Sequence, residues 1–375
     1  MILTAMLAVT LFQVPAQEWN QYRGPGGKGD ASSSDLVTTW SKDSNVVWQL
    51  PVPGKAWSSP IVHQGNVWLT NATADGKKLS LVKVDLATGK MTGDYLLREV
   101  AEPQFCIPYN SYASCTPAAR DGKIYAHYGS PLTACVDAAS GKILWERADL
   151  KCNHHRGAGS SPLLWENLLF IIYDGFDLQY VVALDIATGK TVWKSDRGID
   201  YGTDNGDMKK AYATPIVIRV NDREELISPT SKGCFGYDVK TGQEIWRVTY
   251  EQFSTPARPL FHEGNLIFSA GFSKGVLVSV KSGGQGDVTA THFNWKVDKA
   301  MPSKPSRVKH SSNRSAPSGP RSSTPRSAAA GSRCPAASRH RATTSVGSRT
   351  GCWSRSATVS ARRSEIGRAS CRERV

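Results

Sequence analysis

In a chain of 375 residues, 40% hydrophobic content is enough to build a sizeable core, which excludes a wholly disordered protein. The net charge of +14 is concentrated in residues 307–375, which hold 14 Arg and 1 Lys against Glu365 and Glu373; residues 1–306 carry 31 basic and 30 acidic residues. The body is therefore close to neutral, which removes the argument for a specific nucleic-acid partner, and no run approaches ~18 consecutive apolar residues, so no membrane-spanning helix is expected.

The chain opens with an apolar run from Met1 to Val14, followed by the small residues Val14-Pro15-Ala16. This predicts a signal peptide over residues 1–16 and a periplasmic or extracellular protein. Five cysteines lie in the body: Cys106, Cys115, Cys135, Cys152 and Cys234. In an oxidising compartment Cys135–Cys152 or Cys106–Cys115 could pair, or the thiols could serve as small buried hydrophobes. Their spacing matches no zinc pattern.

One pattern recurs through the middle of the chain. KVDLATGKMTG (83–93), CVDAASGKILW (135–145), ALDIATGKTVW (183–193) and GYDVKTGQEIW (236–246) place Asp85, Asp137, Asp185 and Asp238 at intervals of 52, 48 and 53 residues. A looser fifth copy, VSVKSGGQGDV (278–288), leads to Trp295. Before each copy comes a small residue with proline, then an apolar run, a turn and a second apolar run, as in SSPIVHQGNVWLT (58–70), CTPAARDGKIYAHYG (115–129) and SSPLLWENLLFIIYDG (160–175). Each unit reads as four short strands, and four antiparallel strands per ~45–50 residues is the pattern of a β-propeller blade. The expected fold is all-β, a propeller over residues 17–306, followed by an Arg/Ser-rich tail over 307–375.

Within the repeat, Gly89, Gly141, Gly189 and Gly242 are suited to a positive φ at the hairpin bend, where the preceding Asp accepts backbone N–H bonds. Trp145, Trp193, Trp246 and Trp295 are expected to pack between neighbouring blades, each indole N–H finding a carbonyl. The first unit carries Gly93 where tryptophan is expected. All twelve residues are assigned to structure rather than chemistry.

ALDIATGKTVW resembles the tryptophan-docking repeat of the pyrroloquinoline-quinone (PQQ) type propellers. WNQYRGPGG (19–27), TTWSKDSNVVWQLPVPGKAWSSPIV (38–62) and CNHHRGAGSSP (152–162) are similar to segments of exported PQQ-like propeller proteins of planctomycete-type bacteria. The resemblance implies a ring of about seven or eight blades, of which five to six are present, with NVVWQLPV (45–52) completing the last blade. It also implies kinship with the outer-membrane-assembly propeller of Gram-negative bacteria, a protein-binding scaffold. The quinoprotein dehydrogenases of the same superfamily use a vicinal Cys-Cys disulfide, and no adjacent cysteines occur here.

The tail is built mainly from Ser, Arg and Ala, without Leu, Phe, Tyr, Met, Asp or Gln, a composition that predicts disorder. It resembles GC-rich coding sequence read out of frame after about Ser306. Its last residues, EIGRASCRERV (365–375), resemble a translated short-read sequencing adapter.

No residue is assigned to catalysis, to a cofactor or to a metal. The candidate ligand surface combines His154, His155 and Arg156, then Asp174 and Asp177 of YDGFD, with Asp204, Asp207 and Lys210 of the polar insertion DRGIDYGTDNGDMKKAY (196–212). Adjacent strand residues face opposite ways, so His154 and His155 are not expected to chelate together. The expected function is that of a monomeric, non-enzymatic exported scaffold binding a protein partner or small ligand through its loops and central channel. The alternative is a PQQ-dependent oxidoreductase with PQQ and calcium.

Overall fold

The computed structural model describes residues 18–30, 37, 39–41, 43–272, 275–301, 357–362 and 369–371. The signal-peptide assignment and most of the tail lie outside them. The chain divides into two compact units, residues 1–308 with 356–375, and residues 309–355; all described residues belong to the first.

A first strand, β1 (Val46–Val52), precedes five blades of four antiparallel strands, the fourth of them extended by a short parallel strand. Blade 1 contains β2 (Ile61–His63), β3 (Asn66–Ala72), β4 (Lys78–Asp85) and β5 (Met91–Glu99). Blade 2 contains β6 (Ala118–Arg120), β7 (Lys123–His127), β8 (Thr133–Asp137) and β9 (Ile143–Arg147). Blade 3 contains β10 (Leu163–Trp165), β11 (Leu168–Asp174), β12 (Gln179–Asp185) and β13 (Thr191–Asp196). Blade 4 contains β14 (Ile216–Val220), β15 (Arg223–Pro229), β16 (Gly233–Asp238) and β17 (Glu244–Thr249). Blade 5 contains β18 (Leu260–His262), β19 (Asn265–Ala270), β20 (Gly275–Lys281) and, after the two-residue β21 (Gly286–Asp287), β22 (Phe293–Met301).

The hydrophobic cores lie between blades rather than within them. Ile61, Trp68 and Leu81 of blade 1 share a cluster with Ile124, Ala134 and Val136 of blade 2, and comparable clusters join blades 2 and 3, 3 and 4, and 4 and 5. The middle strands are consequently covered on both faces, and every residue of Leu168–Asp174 is buried. The outer strand of blade 1 alternates between exposed and covered residues.

Each outer strand sends an aromatic ring onto the next blade. In the Asp-x-x-Thr/Ser-Gly turns the aspartate accepts from the backbone N–H three residues on, 2.8 Å in all four, and the glycines stand at φ +70° to +73°. A Cβ on Gly189 would fall 2.6 Å from the Trp145 ring, and one on Gly242 2.4 Å from Trp193. The indoles complete the contact by donating to the carbonyl one residue after the aspartate, Trp145 to Ile186 (2.9 Å) and Trp193 to Val239 (3.0 Å). Trp48 of β1 does the same on blade 1, over Gly89 and to the Leu86 carbonyl at 2.8 Å, so β1 takes the position of a preceding blade's outer strand.

Three positions depart from the expected pattern. Between blades 1 and 2, Tyr95 replaces the ring missing at Gly93 and covers Gly141, while the Lys83 ammonium donates to the Ala138 carbonyl (2.9 Å) that an indole would otherwise take. Trp246 remains in the core of blades 4 and 5, but its N–H goes to the buried Glu225 carboxylate of its own blade at 2.7 Å. An ionised carboxylate is a stronger acceptor than a carbonyl, and the fifth copy lacks the Asp-x-x-Thr-Gly turn; its Gly286 instead pairs in parallel with Trp246. Trp295 is 43% exposed, with no further blade beyond it among the described residues.

A second ladder links the inner strands. The backbone N–H of Ser59 donates to the Thr116 hydroxyl, that of Thr116 to Ser161, and that of Ser161 to Thr214, at 3.0–3.1 Å. These are the Ser/Thr residues before the repeated prolines. Strand β1, expected on the last blade, pairs antiparallel with β23 (Ala357–Arg362), which pairs in turn with β24 (Ala369–Cys371). An uncovered strand edge such as that of β1 offers a row of unpaired N–H and C=O groups to any extended partner. Neither Cys135–Cys152 nor Cys106–Cys115 forms a disulfide, and all five body cysteines are free.

Replacing Trp193 by Ala should cost about 3–5 kcal/mol in urea unfolding, the range for a buried indole. The same change at the half-exposed Trp295 should cost about 0.5 kcal/mol.

Candidate functional site

Antiparallel pairing puts the two kinds of connection on opposite faces. On one face every blade-to-blade connection emerges, at 100–117, 148–162, 197–215 and 250–259, while the other face carries the two-residue turns and the glycine bends. This face carries exposed apolar side chains, Phe105 (59%) and Tyr109 (84%) on the 100–117 connection and Phe272 (55%) between β19 and β20. Most of the sequence-predicted surface lies on this face.

Three of its residues meet around one pocket. His154, Asp174 and Lys210 line it together with His127, Gly157 and Ser160. The Lys210 side chain is buried and donates to the His154 carbonyl. His154 packs against Tyr173 and accepts from the Ser130 backbone N–H at 3.1 Å through Nε2. Burial pushes the imidazoles of His127 and His154 down to about 3, with Lys210 adding to the effect at His154, and brings Lys210 down to about 8. Both histidines are therefore neutral at pH 7.

Asp174 is held by a residue that the sequence reading passed over. Arg197 grips it in a two-pronged pair at 2.9 Å and donates to Ser228 (2.9 Å) and Tyr237 (3.3 Å), all of it buried. Only the position of Arg197, just past the outer strand that carries the docking Trp193, could have marked it. A second pair, Arg156 with Asp207, ties the 148–162 connection to the 197–215 connection at the surface. Hydrogen bonding from Arg156 lowers the Asp207 carboxyl below its ordinary value.

The remaining predicted residues do not converge on the pocket. Asp177 accepts the backbone N–H groups of Asn153 (2.7 Å) and Leu178 (2.8 Å). His155 sits at φ +53° with its ring between Phe105 and Phe176, at 5.5 and 4.8 Å. Asp204 is exposed, in a surface depression with Asp200, Tyr201 and Lys209. Among the described residues no group of three His, Cys, Asp or Glu could hold a metal, and no helix is long and apolar enough to cross a membrane.

Removing one partner of the buried pair strands a charge, so Asp174→Ala should cost about 3–5 kcal/mol. Asp207→Ala breaks a pair about one-third exposed and should cost about 0.5–1 kcal/mol; chemical denaturation distinguishes the two. The histidines generate a pH prediction. A folded value depressed to about 3 against about 6.5 unfolded means that the unfolded chain takes up the proton first. Stability is complete above pH 6.5 and falls as pH drops toward 3, by about 1.4 kcal/mol per pH unit for each histidine. His127→Gln should lower the slope of unfolding free energy against pH, measured near pH 5, by that amount.

A family model described as outer membrane protein assembly factor BamB matches residues 30–148 and 110–300. Methanol dehydrogenase (cytochrome c) subunit 1 of Methylobacterium organophilum is 32% identical over 150 residues, covering 35% of this chain and 22% of that protein. Quinohemoprotein alcohol dehydrogenase ADH IIB of Pseudomonas putida is 30% identical over 162 residues, covering 39% and 21%. The chain thus spans about a fifth of the length of these curated relatives. Among solved structures, BamB from Moraxella catarrhalis matches with a TM-score of 0.50 at 18% identity over 68% of each chain. Quinohemoprotein alcohol dehydrogenase from Comamonas testosteroni matches at 0.52 with 13% identity, over 71% of this chain and 47% of that one. These structural likenesses are to the fold alone. Because the family match runs through all five blades, the chain belongs to the PQQ-repeat β-propeller family described as outer membrane protein assembly factor BamB.

Proposed function

We propose that this protein is an exported, monomeric, non-enzymatic scaffold whose long-loop face binds a protein partner. The observation that carries the reading is the division of labour on that face. Three of its carboxylates close on arginines or backbone groups, while three of its aromatic side chains stand exposed. Asp174 is held by Arg197, Asp207 by Arg156, and Asp177 by two amides. Phe105, Tyr109 and Phe272 stand exposed on this face, and aromatic residues suit the centre of a protein interface.

The likeness to two quinoprotein dehydrogenases favours a second reading, an oxidoreductase using PQQ and calcium. The residues present fit that cofactor poorly. The one carboxylate lining the pocket, Asp174, is engaged by Arg197, the body cysteines are single and free, and the cavity volume of about 10 Å³ is far below the usual ligand-site range of ~300–1,000 Å³.

A photocrosslinking residue at Tyr109 should capture a discrete protein in the native envelope, whereas one at Lys190, on the opposite face, should not. Capture only from position 190 would overturn the assignment of the face. A quinone absorbance with dye reduction, after adding PQQ and Ca²⁺ to the full chain, would overturn the non-enzymatic reading.

A further inference from the structure

The segment ahead of β1 is tied to three blades. Trp19 and Val62 of β2 exchange both backbone hydrogen bonds, at 2.9 and 3.0 Å, and the Asn20 carbonyl accepts from the Ala119 N–H of β6 at 2.7 Å. The Glu18 carboxylate accepts the Gln64 N–H at 2.9 Å and lies 2.8 Å from His63 Nδ1. His63 Nε2 in turn accepts from Gly122, in the corresponding turn of blade 2, at 3.2 Å. Within the segment the Trp19 ring lies on Gly24, which stands at φ +73° and whose Cβ would fall 2.5 Å from it, the same kind of contact that joins the blades.

The third tie is on blade 5. Ser59, Thr116, Ser161 and Thr214 precede the repeated prolines and form the hydroxyl ladder, but in the fifth unit the residue before Pro259 is Arg258. A guanidinium carries only donors, so it cannot continue a ladder that needs an acceptor. Its side chain is buried against the segment instead, donating to the carbonyls of Gly27 at 2.5 Å and Gly26 at 3.3 Å. A side chain on Gly27 would collide with that guanidinium.

The strands β2, β6 and β18, the last of which Arg258 precedes, are the first of their blades, and the blades of a propeller surround a central channel. Blade 5 stands four places round the ring from blade 1, so a segment joining them runs across the channel. Its Glu18 end meets the two-residue turns, and its Gly27 end meets the 250–259 connection on the opposite face. We propose that residues 18–27 form an intramolecular strap that closes the channel, docked on the inner edges of blades 1 and 2 and latched to blade 5 by Arg258. Because the strap pairs with β2 through the backbone, it takes the place that an extended segment of another chain would need to add a strand there. The strap does not rest on the scaffold reading, since none of its contacts involves the exposed aromatic residues of the long-loop face.

The test follows backbone hydrogen exchange at single amides of the full chain by ¹⁵N NMR. Gly27→Ala changes a residue outside every blade and should unlatch the strap. The Val62 and Ala119 amides, which bond to its other end, should then exchange about 10–100-fold faster, with the amides of β12 in blade 3 unchanged. Arg258→Ser, which puts a hydroxyl back at the ladder position, should have the same effect; should it fail to fold, Gly27→Ala decides alone. Unchanged exchange at Val62 and Ala119 in Gly27→Ala would overturn the strap, because the ties to blades 1 and 2 would be independent of the latch. Equal acceleration in β12 would also overturn it, because the segment would then support the whole fold rather than close the channel.

Discussion

An aromatic ring lying flat on a glycine that has no Cβ is the contact on which this structure depends. The glycine must be bare for the ring to approach, and it must adopt positive φ for the hairpin to close, so one residue type meets two demands. The ring carries the apolar surface of one sheet across to the next, and its N–H fixes the register by taking a carbonyl of the neighbouring turn. Where the indole is missing, between blades 1 and 2, the two duties separate: Tyr95 supplies the ring and Lys83 supplies the hydrogen bond. That the geometry survives the change of residues indicates that the interface, rather than tryptophan itself, is the constraint.

Cores shared by neighbouring sheets leave each blade dependent on the blades beside it. The same arrangement sorts the connections by face. Tight turns crowd where the rings dock, and the longer chain segments are left to the opposite face, where they can carry other side chains without disturbing the stack. The buried Asp174–Arg197 pair and the surface Arg156–Asp207 pair brace this second face. The first of them sits where blades 3 and 4 meet, since Arg197 also reaches Ser228 and Tyr237 of blade 4.

The repeat made the blades legible in the sequence, because turn and ring residues recur at nearly constant spacing. The middle strands were less transparent. LLFIIYD reads as an unbroken apolar run because both of its faces are covered, and only the outer strands keep a clean period of two. The exchange of Trp for Tyr95 with Lys83 was hidden because its two halves lie on different strands. The hydroxyl ladder was also hidden, since a Ser or Thr before proline reads first as a turn residue. For the candidate site, motif reading found His154, Asp174 and Lys210 but not Arg197, whose partner lies 23 residues away, and it could not separate Asp204 from the others. Side-chain pairing across loops leaves no periodic trace.

The docking contact can be tested most directly by hydrogen exchange at the indole Nε1 positions, resolved by ¹⁵N NMR on the full chain. Bonded and covered indoles, Trp48, Trp145, Trp193 and Trp246, should exchange far more slowly than Trp295, which projects from the last blade. Rapid exchange at Trp145 and Trp193, matching that of Trp295, would contradict the account.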